Sequence, residues 1–385
     1  MHLNNTLRTI YSPGQLLFLS FMISALWSCA VKNTMQSDHA EAPVKVLSLQ
    51  PGHDNPRNSE GDFIKLKNGD ILFIYSHYYG ESTSDHATAY LASRISKDGG
   101  KTWSNADEIV IQNEGGLNVM SVSLLRLQSG EIALFYLRKN ATDDCIPMMR
   151  ISVDEGRTWG EAIPCITDKK GYFVLNNDRV IQLNNGRLLM AVAQHNEPGG
   201  TFTGKGKLYS YYSDNKGMSW KSSTMVDNPY DITFQEPGLV ELKDHSILMV
   251  IRSNAGTQCL THSKDGGETW SEVTKSQLVS PVSPATIERI PKTNDLLAVW
   301  NYNISTDEKI SKQRTPLTIA ISKDEGVSWT KIKTLEDNPD GWYCYIAMDF
   351  IDDAVLLGYC AGRQSNKTHL SVTDIKMIDL DWIYN

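Results

Sequence analysis

The sequence is poor in the features that mark several classes of protein. It has 37 Lys and Arg against 45 Asp and Glu, so its net charge of −8 gives no basic surface for the phosphates of a nucleic acid. It has six cysteines in 385 residues, and no two of them have the CxxC spacing of zinc and redox sites. No His, Asp and Glu residues have the spacing of a metal site. We therefore expect no nucleic-acid partner, no disulfide framework, no metal and no cofactor.

Long apolar runs are rare as well, and the clearest one lies near the N-terminus. Residues 16–27 have the length of the apolar part of a signal peptide and are too short to span a bilayer. The run ends in Leu-Trp-Ser-Cys at residues 26–29, which resembles a bacterial lipobox, whose cysteine is lipidated and becomes the new N-terminus. The alternative is an ordinary cleaved signal peptide in which Cys29 has no role.

These features predict the organisation of the N-terminal region. We expect residues 1–29 to be a lipoprotein-type signal peptide and the polar residues 30–43 to be a flexible tether. The protein would then cross the inner membrane and reside in the periplasm, on the outer membrane or on the cell surface. Its membrane contact would be made through the lipid on Cys29 alone.

What the sequence does contain is a set of repeated turns. An eight-residue box, Ser-x-Asp-x-Gly-x-Thr-Trp with small variations, begins at Ser96, Ser152, Ser213, Ser263 and Ser322. Asp and Gly suit a tight turn, and the Trp can begin the next strand. A second motif, a turn followed by an apolar strand, occurs six times at intervals of about 50 to 60 residues and begins at Asn68, Ser129, Asn185, Asp244, Asn294 and Asp352.

Six such units without a long helical pattern predict an all-β fold, a six-bladed β-propeller over residues 44–385. In the first five units the box follows the apolar strand, whereas the sixth unit has no box. We expect residues 44–50 to supply the missing strand of the sixth blade and so to close the ring between the two ends of the chain. A stacked β-solenoid is the alternative, but solenoid repeats are generally shorter.

The eight-residue box resembles the Asp-box, or BNR repeat, of the sialidase superfamily, and the resemblance covers about residues 44–385. In that family the boxes lie on the outer rim and also occur in propellers of other activities, so they specify the fold and not the chemistry. The family's active site contains a three-arginine clamp for a substrate carboxylate, an Asp acid/base, and a Tyr nucleophile with a Glu partner.

Four residues match the clamp and the acid/base groups of this pattern. Glu236 opens one strand and Arg252 ends the next, as the catalytic Glu and the second clamp arginine do in the family. Arg314 lies one strand ahead of the fifth box and resembles the third clamp arginine. Asp85 lies in a loop that leads into the strand of the first box, where the family has its acid/base Asp. For each of them the alternative is an ordinary loop or surface residue.

The nucleophile is expected in the segment Gly-Trp-Tyr-Cys-Tyr-Ile-Ala at residues 341–347. The resemblance implies Tyr343, and Tyr345 competes with it because two residues that are two apart on a strand share a face. By this analogy Tyr343 would attack the sugar, Glu236 would take its proton, and Asp85 would protonate the leaving oxygen and then activate water. A tyrosine avoids the repulsion that a carboxylate nucleophile would meet at a carbon bearing a carboxylate.

The sequence departs from the family at the first clamp arginine. Glu60 stands in that column, and Cys360 stands where the family has the Glu that pairs with the arginine. Both halves of one buried ion pair are therefore replaced together, which avoids an unpaired buried charge. Arg57 and Arg179 are candidates to substitute for the missing arginine. We expect Glu60 to border the pocket and to disfavour a substrate carboxylate at that point.

The sequence therefore predicts a secreted exo-glycosidase of the sialidase superfamily that hydrolyses a terminal, acidic sugar from glycans. One alternative is a glycosidase or lyase of the same fold that acts on a non-sialic, uronate-containing or other plant or algal polysaccharide, which Glu60 favours. Another is a non-catalytic carbohydrate-binding surface lipoprotein, against which the Glu and Tyr pair argues. Each of them has a carbohydrate as its partner.

Overall fold

The computed structural model describes residues 41–385. The predicted signal peptide, the lipidation site Cys29 and nearly all of the predicted tether lie outside the described residues. Within residues 41–385 the chain forms 25 strands and one short helix, α1 (Leu380–Tyr384). In this part of the chain no helix is long and apolar enough to cross a membrane.

The strands make six blades around a central axis, as the repeats predict, and the pairing within each blade is antiparallel. One parallel pair, Tyr172 with Cys145, joins the sheets of blades 2 and 3. From the axis outward, blades 1 and 2 consist of β2 (Asn58–Lys65), β3 (Ile71–Tyr78), β4 (Ala89–Ser96) and β5 (Glu108–Ile111), then β6 (Asn118–Arg126), β7 (Ile132–Ala141), β8 (Asp144–Ser152) and β9 (Ile163–Pro164). Blade 3 consists of β10 (Tyr172–Val174), β11 (Val180–Gln182), β12 (Leu188–Asn196), β13 (Lys207–Ser213) and β14 (Lys221–Ser222). Its two short inner strands, β10 and β11, both pair with β12.

The remaining three blades follow the same order. Blades 4 and 5 consist of β15 (Phe234–Glu241), β16 (Ile247–Ser253), β17 (Thr257–Ser263) and β18 (Thr274–Val279), then β19 (Thr286–Arg289), β20 (Leu296–Asn301), β21 (Leu317–Ser322) and β22 (Thr330–Glu336). Blade 6 consists of β23 (Gly341–Ile351), β24 (Ala354–Arg363), β25 (Thr373–Asp379) and β1 (Val44–Leu49). The first strand of the chain is thus the outermost strand of the last blade.

The ring closes between the two ends of the described chain. Strand β1 pairs antiparallel with β25, with Val44 opposite Met377 and Leu49 opposite Thr373. The prediction that residues 44–50 complete the sixth blade is therefore confirmed. This pairing joins residues that are more than 300 positions apart in the sequence. Blade 6 therefore contains strands from both ends of the described chain, and this blade closes the ring.

The second strands of the blades are apolar on both faces because each blade is covered by a neighbour on either side. Every residue of β3, β12 and β20 is buried. Phe63 and Phe73 of blade 1, for example, pack with Leu356 and Ile375 of blade 6 in one core cluster. Face-to-face packing of sheets thus fixes the blades around the axis, and the inner strands carry the polar residues.

The Asp-boxes are structural turns between the third and fourth strands, on the rim. In the first box the Asp98 carboxylate accepts hydrogen bonds from the Thr102 backbone N–H at 2.9 Å and from its hydroxyl at 2.6 Å. The Trp103 indole N–H donates to the Gly100 carbonyl at 3.1 Å. Gly100 has φ of +90°, a backbone conformation that glycine adopts without strain. The predicted rim position of the boxes is confirmed.

Gly100 also fits closely against the neighbouring blade, which gives a test of this role. A Cβ at Gly100 would lie 2.9 Å from Leu356 Cδ1, whereas a Cβ at Gly99, with φ of +74°, would meet no atom within 4 Å. We expect Gly100→Ala to lower the free energy of unfolding by about 2–4 kcal/mol, through the strained φ and the overpacking together. Gly99→Ala should lower it by about 1–2 kcal/mol, through φ alone. Urea denaturation of both variants measures the difference, and equal losses would contradict it.

Candidate active site

The inner strands carry a repeated backbone irregularity at the axis. In five of the six blades a residue other than glycine has a positive φ, which is uncommon and strained. These residues, with φ between 37° and 59°, are Glu60, Ser121, Asp178, Glu236 and Tyr345. Four of them lie at β-bulges where the pairing with the second strand shifts. Asp178 lies between β10 and β11. Bulges re-aim side chains, and here they turn polar groups toward the centre.

The tyrosine that meets Glu236 is Tyr345. Its hydroxyl donates a hydrogen bond to Glu236 Oε1 at 3.1 Å. The expected contact between Tyr343 and Glu236 is not formed, so that prediction is wrong in its geometry. Tyr343 instead lies in the apolar core between blades, 6.2 Å from the ring of Tyr359, and its hydroxyl accepts a hydrogen bond from Arg363 at 3.4 Å.

The physical reason is the bulge in β23. The register against β24 shifts between Cys344 and Ala347, and Tyr345 has φ of 57°. Alternation of side chains holds for regular strands, and an extra residue in one strand breaks it. Tyr343 and Tyr345 therefore point in different directions, although two residues that are two apart on a regular strand share a face.

Glu236 is held as a carboxylate by its neighbours. Arg252 Nη1 donates to Glu236 Oε2 at 2.5 Å. Burial alone would raise the pKa of Glu236, but the charges of Arg252 and Arg314 and the hydrogen bonds from Arg252 and Tyr345 outweigh burial and lower it. Burial and the charge of Glu236 raise the pKa of Tyr345 well above its ordinary value. The pair thus consists of a neutral phenol beside a charged proton acceptor.

Arg314 lies beside this pair and is buried, with 8% of its surface exposed. Its guanidinium lies 4.9 Å from the ring centre of Trp342 and 5.7 Å from that of Tyr345. It donates a long hydrogen bond, 3.5 Å to the carbonyl of Val282. It also lies against the buried thiol of Cys344, where burial would raise the pKa of the thiol but Cys360 and Arg314 outweigh burial and lower it to about 7. Among residues 41–385 it forms no salt bridge with a carboxylate. A buried guanidinium whose N–H groups are not all used can donate hydrogen bonds to an anion, so it forms a binding site for one.

Asp85 lies in the loop between β3 and β4 and pairs with Arg57. Arg57 Nη1 donates to Asp85 Oδ1 at 2.5 Å. The Asp85 carbonyl accepts hydrogen bonds from Asn118 at 2.9 Å and from the Lys139 ammonium at 2.6 Å, which fix the loop. Burial would raise the pKa of Asp85, but the charge and hydrogen bond of Arg57 and the charge of Lys139 outweigh it and lower the pKa. Asp85 is therefore ionised in the free protein.

Glu60 belongs to the same network. Arg57 Nη2 lies 3.3 Å from Glu60 Oε1, and the Ser121 hydroxyl donates to Glu60 Oε2 at 3.3 Å. Burial is the largest cause that raises the pKa of Glu60 to about 7, against the lowering effect of Arg57. Arg57 is shared between Glu60 and Asp85, so it is not free to replace the missing clamp arginine. Cys360 lies opposite Cys344 across β23 and β24 and is fully buried.

Arg179 is held by groups other than Glu236, although the charge of Glu236 reaches it: burial lowers the pKa of Arg179 against the charges of Asp178, Glu288 and Glu236. Its guanidinium donates to Thr286 Oγ1 at 3.1 Å and to the Ala285 carbonyl at 2.9 Å. It lines a cavity of about 480 Å³ formed by the second halves of the inner strands, whereas Glu60, Glu236 and Tyr345 lie in the first halves. The structure thus gives Arg179 a place in the central channel below the candidate site.

Sequence reasoning missed two buried polar residues that support the site. Asn177 is fully buried, and its side-chain amide donates to the carbonyls of Gly61 at 3.0 Å and Tyr345 at 3.1 Å. It therefore ties the bulges of blades 1 and 6 to blade 3. Lys139 is 1% exposed and holds the Asp85 loop from β7. Its position in an apolar strand could have indicated this role, because lysines are almost never fully buried without a partner.

The cavity that Arg179 lines is bordered by five carboxyl groups and gives a pH prediction. These groups are Asp62, Asp178, Glu241, Glu288 and Asp349. Within residues 41–385 no group of three or more His, Cys, Asp and Glu is arranged to hold a metal ion. Burial and then the charge of Asp178 raise the pKa of Asp349 to about 7. The native state therefore binds a proton that the unfolded chain has released above its ordinary pKa of about 4.

Stability should consequently fall as the pH rises from about 4 to about 7, and Asp349→Asn should remove part of this fall. The difference in slope is at most about 1.4 kcal/mol per pH unit for one proton. Urea denaturation at several pH values between 4.5 and 8 measures it. The matched control is Asp352→Asn, since the Asp352 side chain is 81% exposed and should keep the slope of the unaltered protein. Identical slopes in the two variants would contradict the assignment.

Comparisons with known proteins agree with this architecture. The family model of the BNR repeat-like domain matches residues 91–356. No protein of curated function matches the chain in sequence. Among solved structures, a Dyadobacter fermentans protein of unknown function is 20% identical with a TM-score of 0.69, and the match covers 88% of this chain and 99% of that one.

Two solved enzymes are similar in the same way. The NanB sialidase from Streptococcus pneumoniae is 14% identical with a TM-score of 0.68, over 89% of this chain and 71% of that one. The intramolecular trans-sialidase from Ruminococcus gnavus is 15% identical with a TM-score of 0.67, over 87% of this chain and 96% of that one. Identities this low show a shared fold and leave the chemistry to the residues of the site.

Proposed function

Because the chain belongs to the BNR repeat-like family and has the sialidase fold, we propose that it is a glycoside hydrolase that releases a terminal acidic sugar from a glycan. The observation that carries the proposal is the hydrogen bond from Tyr345 to ionised Glu236, with Arg314 beside it. A carbohydrate-binding protein needs no neutral phenol held against a charged base. An enzyme that forms a covalent bond to a sugar does.

In this proposal Tyr345 is the nucleophile. Glu236 takes the phenolic proton as the Tyr345 oxygen attacks the anomeric carbon, and Arg252 stabilises Glu236 in position. The substrate carboxylate is held by Arg314 with help from Arg252. A tyrosine suits such a substrate because it is neutral until it attacks, whereas a carboxylate nucleophile would be repelled by the charge of the sugar.

Asp85 is the proposed acid/base group. Its side chain is 56% exposed, so it is accessible to a leaving group in the pocket. It is ionised in the free protein and must gain a proton before it can donate one. An anionic sugar that binds nearby and excludes water favours the neutral form, since like charge and desolvation both raise the pKa of a carboxyl group. After the leaving group departs, Asp85 activates the water that releases the sugar from Tyr345.

A second candidate is an enzyme of the same fold that acts on a uronate-containing or other polysaccharide, as a hydrolase or a lyase. The observation that favours it is Glu60, a buried carboxyl group paired with Arg57 in the region of the missing clamp arginine. Burial raises the pKa of Glu60 to about 7, and above that pH the ionised group repels a substrate carboxylate that approaches it. An acidic sugar must then place its carboxylate on the Arg314 side of the pocket.

The test is a screen of the purified protein on aryl sialosides, aryl uronides, sialyl-oligosaccharides and acidic polysaccharides, with the products identified by mass. Hydrolysis releases the intact sugar, whereas an unsaturated lyase product and an intramolecular anhydro-sugar are both lighter by one water. The ultraviolet absorbance of the double bond distinguishes the lyase product from the anhydro-sugar. The Glu236→Gln variant is the control for contaminating activity. Release of an acidic sugar by the unaltered protein alone supports the proposal. Glycan binding without any release would overturn it in favour of a binding protein.

A further inference from the structure

Four aromatic rings form a continuous band beside the candidate site. This aromatic band consists of His86, Tyr172, Phe202 and His195. The rings of His86 and Tyr172 are 6.2 Å apart, those of Tyr172 and Phe202 are 5.6 Å apart, and those of Phe202 and His195 are 5.3 Å apart. They come from two blades: His86 lies between β3 and β4 of blade 1, whereas Tyr172 begins β10, His195 lies near the end of β12 and Phe202 follows β12, all in blade 3.

The band connects the two halves of the proposed machinery. At one end His86 follows Asp85 directly in the sequence, and the charge of Asp85 acts on its pKa. At the other end the charges of Glu236 and Arg252 act on the pKa of His195, which burial lowers. Lys139, which fixes the Asp85 loop, lies 5.4 Å from the ring centre of Tyr172. The rings therefore border the pocket from the acid/base group to the region of Glu236 and Arg252.

Phe202 presents an open ring face. Its side chain is 53% exposed, although a large apolar group gains free energy when water is removed from it. One face of the ring is stacked on His195 with an interplanar angle of 15°, and Tyr172 meets it edge-on at 85°. The opposite face of the ring is available to a ligand.

The loop that carries Phe202 is held to the sheet, so the ring has a defined position. The Thr203 backbone N–H donates to the His195 carbonyl at 2.9 Å, and the His195 ring is bonded to the Thr203 carbonyl at 2.8 Å. The same loop encloses a cavity of about 230 Å³ that is lined by polar groups, among them Asn196, Glu197 and Thr201. An aromatic face beside hydrogen-bonding groups matches a pyranose ring, which has an apolar C–H face and a rim of hydroxyls.

We propose that the aromatic band is a subsite for the sugar on the leaving-group side of the bond that is cleaved, with Phe202 stacked on its ring. This inference rests on the proposed function, because the leaving oxygen must lie near Asp85 to receive its proton. The sugar attached to that oxygen then extends over His86 toward Phe202. Stacking there aligns the bond and strengthens binding of oligosaccharides, whereas a small leaving group cannot reach the ring.

The kinetic test compares two substrates of the same acidic sugar, its methyl glycoside and an oligosaccharide in which it is linked to a pyranose. We expect Phe202→Ala to lower kcat/KM about ten-fold on the oligosaccharide, mostly through KM, and to leave the methyl glycoside within about two-fold. Phe202→Trp should keep the oligosaccharide activity. The matched control is Tyr230→Ala, another exposed aromatic residue (57% exposed), which should change neither substrate. Equal losses on both substrates in Phe202→Ala would overturn the subsite.

A binding measurement separates failure of the subsite from failure of the proposed function. Saturation-transfer NMR with lactose and cellobiose, two neutral pyranose probes, needs no turnover. Transfer to their ring C–H protons that is lost in Phe202→Ala and kept in Tyr230→Ala supports the subsite even if the substrate screen finds no hydrolysis. Transfer that persists unchanged in Phe202→Ala overturns the subsite even if the screen finds an active hydrolase. Thermal unfolding should show both variants folded at the temperature of the measurement, because each side chain is more than half exposed and its removal leaves the core unchanged.

Discussion

Replacing Tyr345 by Phe is expected to lower kcat by about 1000-fold or more, while Tyr343→Phe should keep kcat within about two-fold. Both changes remove a single hydroxyl from β23, two residues apart. The Tyr345 hydroxyl donates to Glu236 at 3.1 Å, whereas the Tyr343 hydroxyl contacts Arg363 at 3.4 Å outside the site. Turnover measured on the substrate found by the screen decides between the two tyrosines.

The folding of the two variants provides the control. Glu236 keeps its hydrogen bond from Arg252 when the Tyr345 hydroxyl is removed, so no carboxylate is left without a partner. The contact of Tyr343 with Arg363 is long, and its loss should cost less than about 1 kcal/mol. Both variants should therefore unfold near the midpoint of the unaltered protein. A large loss of turnover in Tyr343→Phe with normal turnover in Tyr345→Phe would show that the nucleophile has been misplaced.

The fold could be predicted from the sequence because its signals are local and repeated. The box that begins at Ser96 and the turn at Asn68 each contain their turn residues within a few positions, and their alternation counts the blades. Even the closing strand was predictable, since blade 6 lacks a box and the residues before blade 1 form an unassigned strand. The structure places Val44–Leu49 against β25 as this reasoning requires.

The choice of tyrosine depends on information that is not local. Whether Tyr345 points to the axis depends on where β23 bulges, and that depends on pairing with Cys360 and Gly358 in the next strand. The strand propensity of the residues and the alternation of their side chains do not indicate where such a register shift occurs. Glu236 and Arg252 were predictable because they lie at a strand start and a strand end, where the family motif and the chain direction agree.

The roles of the charged residues around the missing clamp arginine were also not predictable from the sequence. From the sequence, Arg57 was a candidate to hold the substrate and Glu60 a group expected to repel it. In the structure one buried guanidinium serves both Glu60 and Asp85, so neither side chain acts alone. The pKa of Asp85 falls and that of Glu60 rises to about 7 because Arg57 pairs more closely with Asp85 and burial dominates at Glu60. The roles of Glu60 and Asp85 therefore depend on how both share the charge of Arg57 in the folded protein.

The second large effect is expected at Arg314. Arg314→Gln should lower kcat/KM on the acidic substrate by about 100-fold, because the carboxylate loses a buried cationic partner. Arg314 forms no salt bridge among residues 41–385, and Glu236, whose pKa its charge helps to lower, keeps its hydrogen bond from Arg252, so the variant should fold. The matched control is chemical: the amide of the same acidic sugar, which is neutral and has the same shape.

On the amide the unaltered protein should already be slow, and Arg314→Gln should slow it by less than about five-fold further. The measured quantity is the difference between the effect of Arg314→Gln on the acid and its effect on the amide. An effect of the substitution on the fold would be the same for both substrates and cancels in this difference. High salt should weaken this coupling only slightly, since Arg314 is 8% exposed and a buried charge is poorly screened. If Arg314→Gln reduced activity equally on the acid and the amide, Arg314 would act by keeping Glu236 ionised or by supporting the rings of Trp342 and Tyr345, and the carboxylate would have to be bound elsewhere.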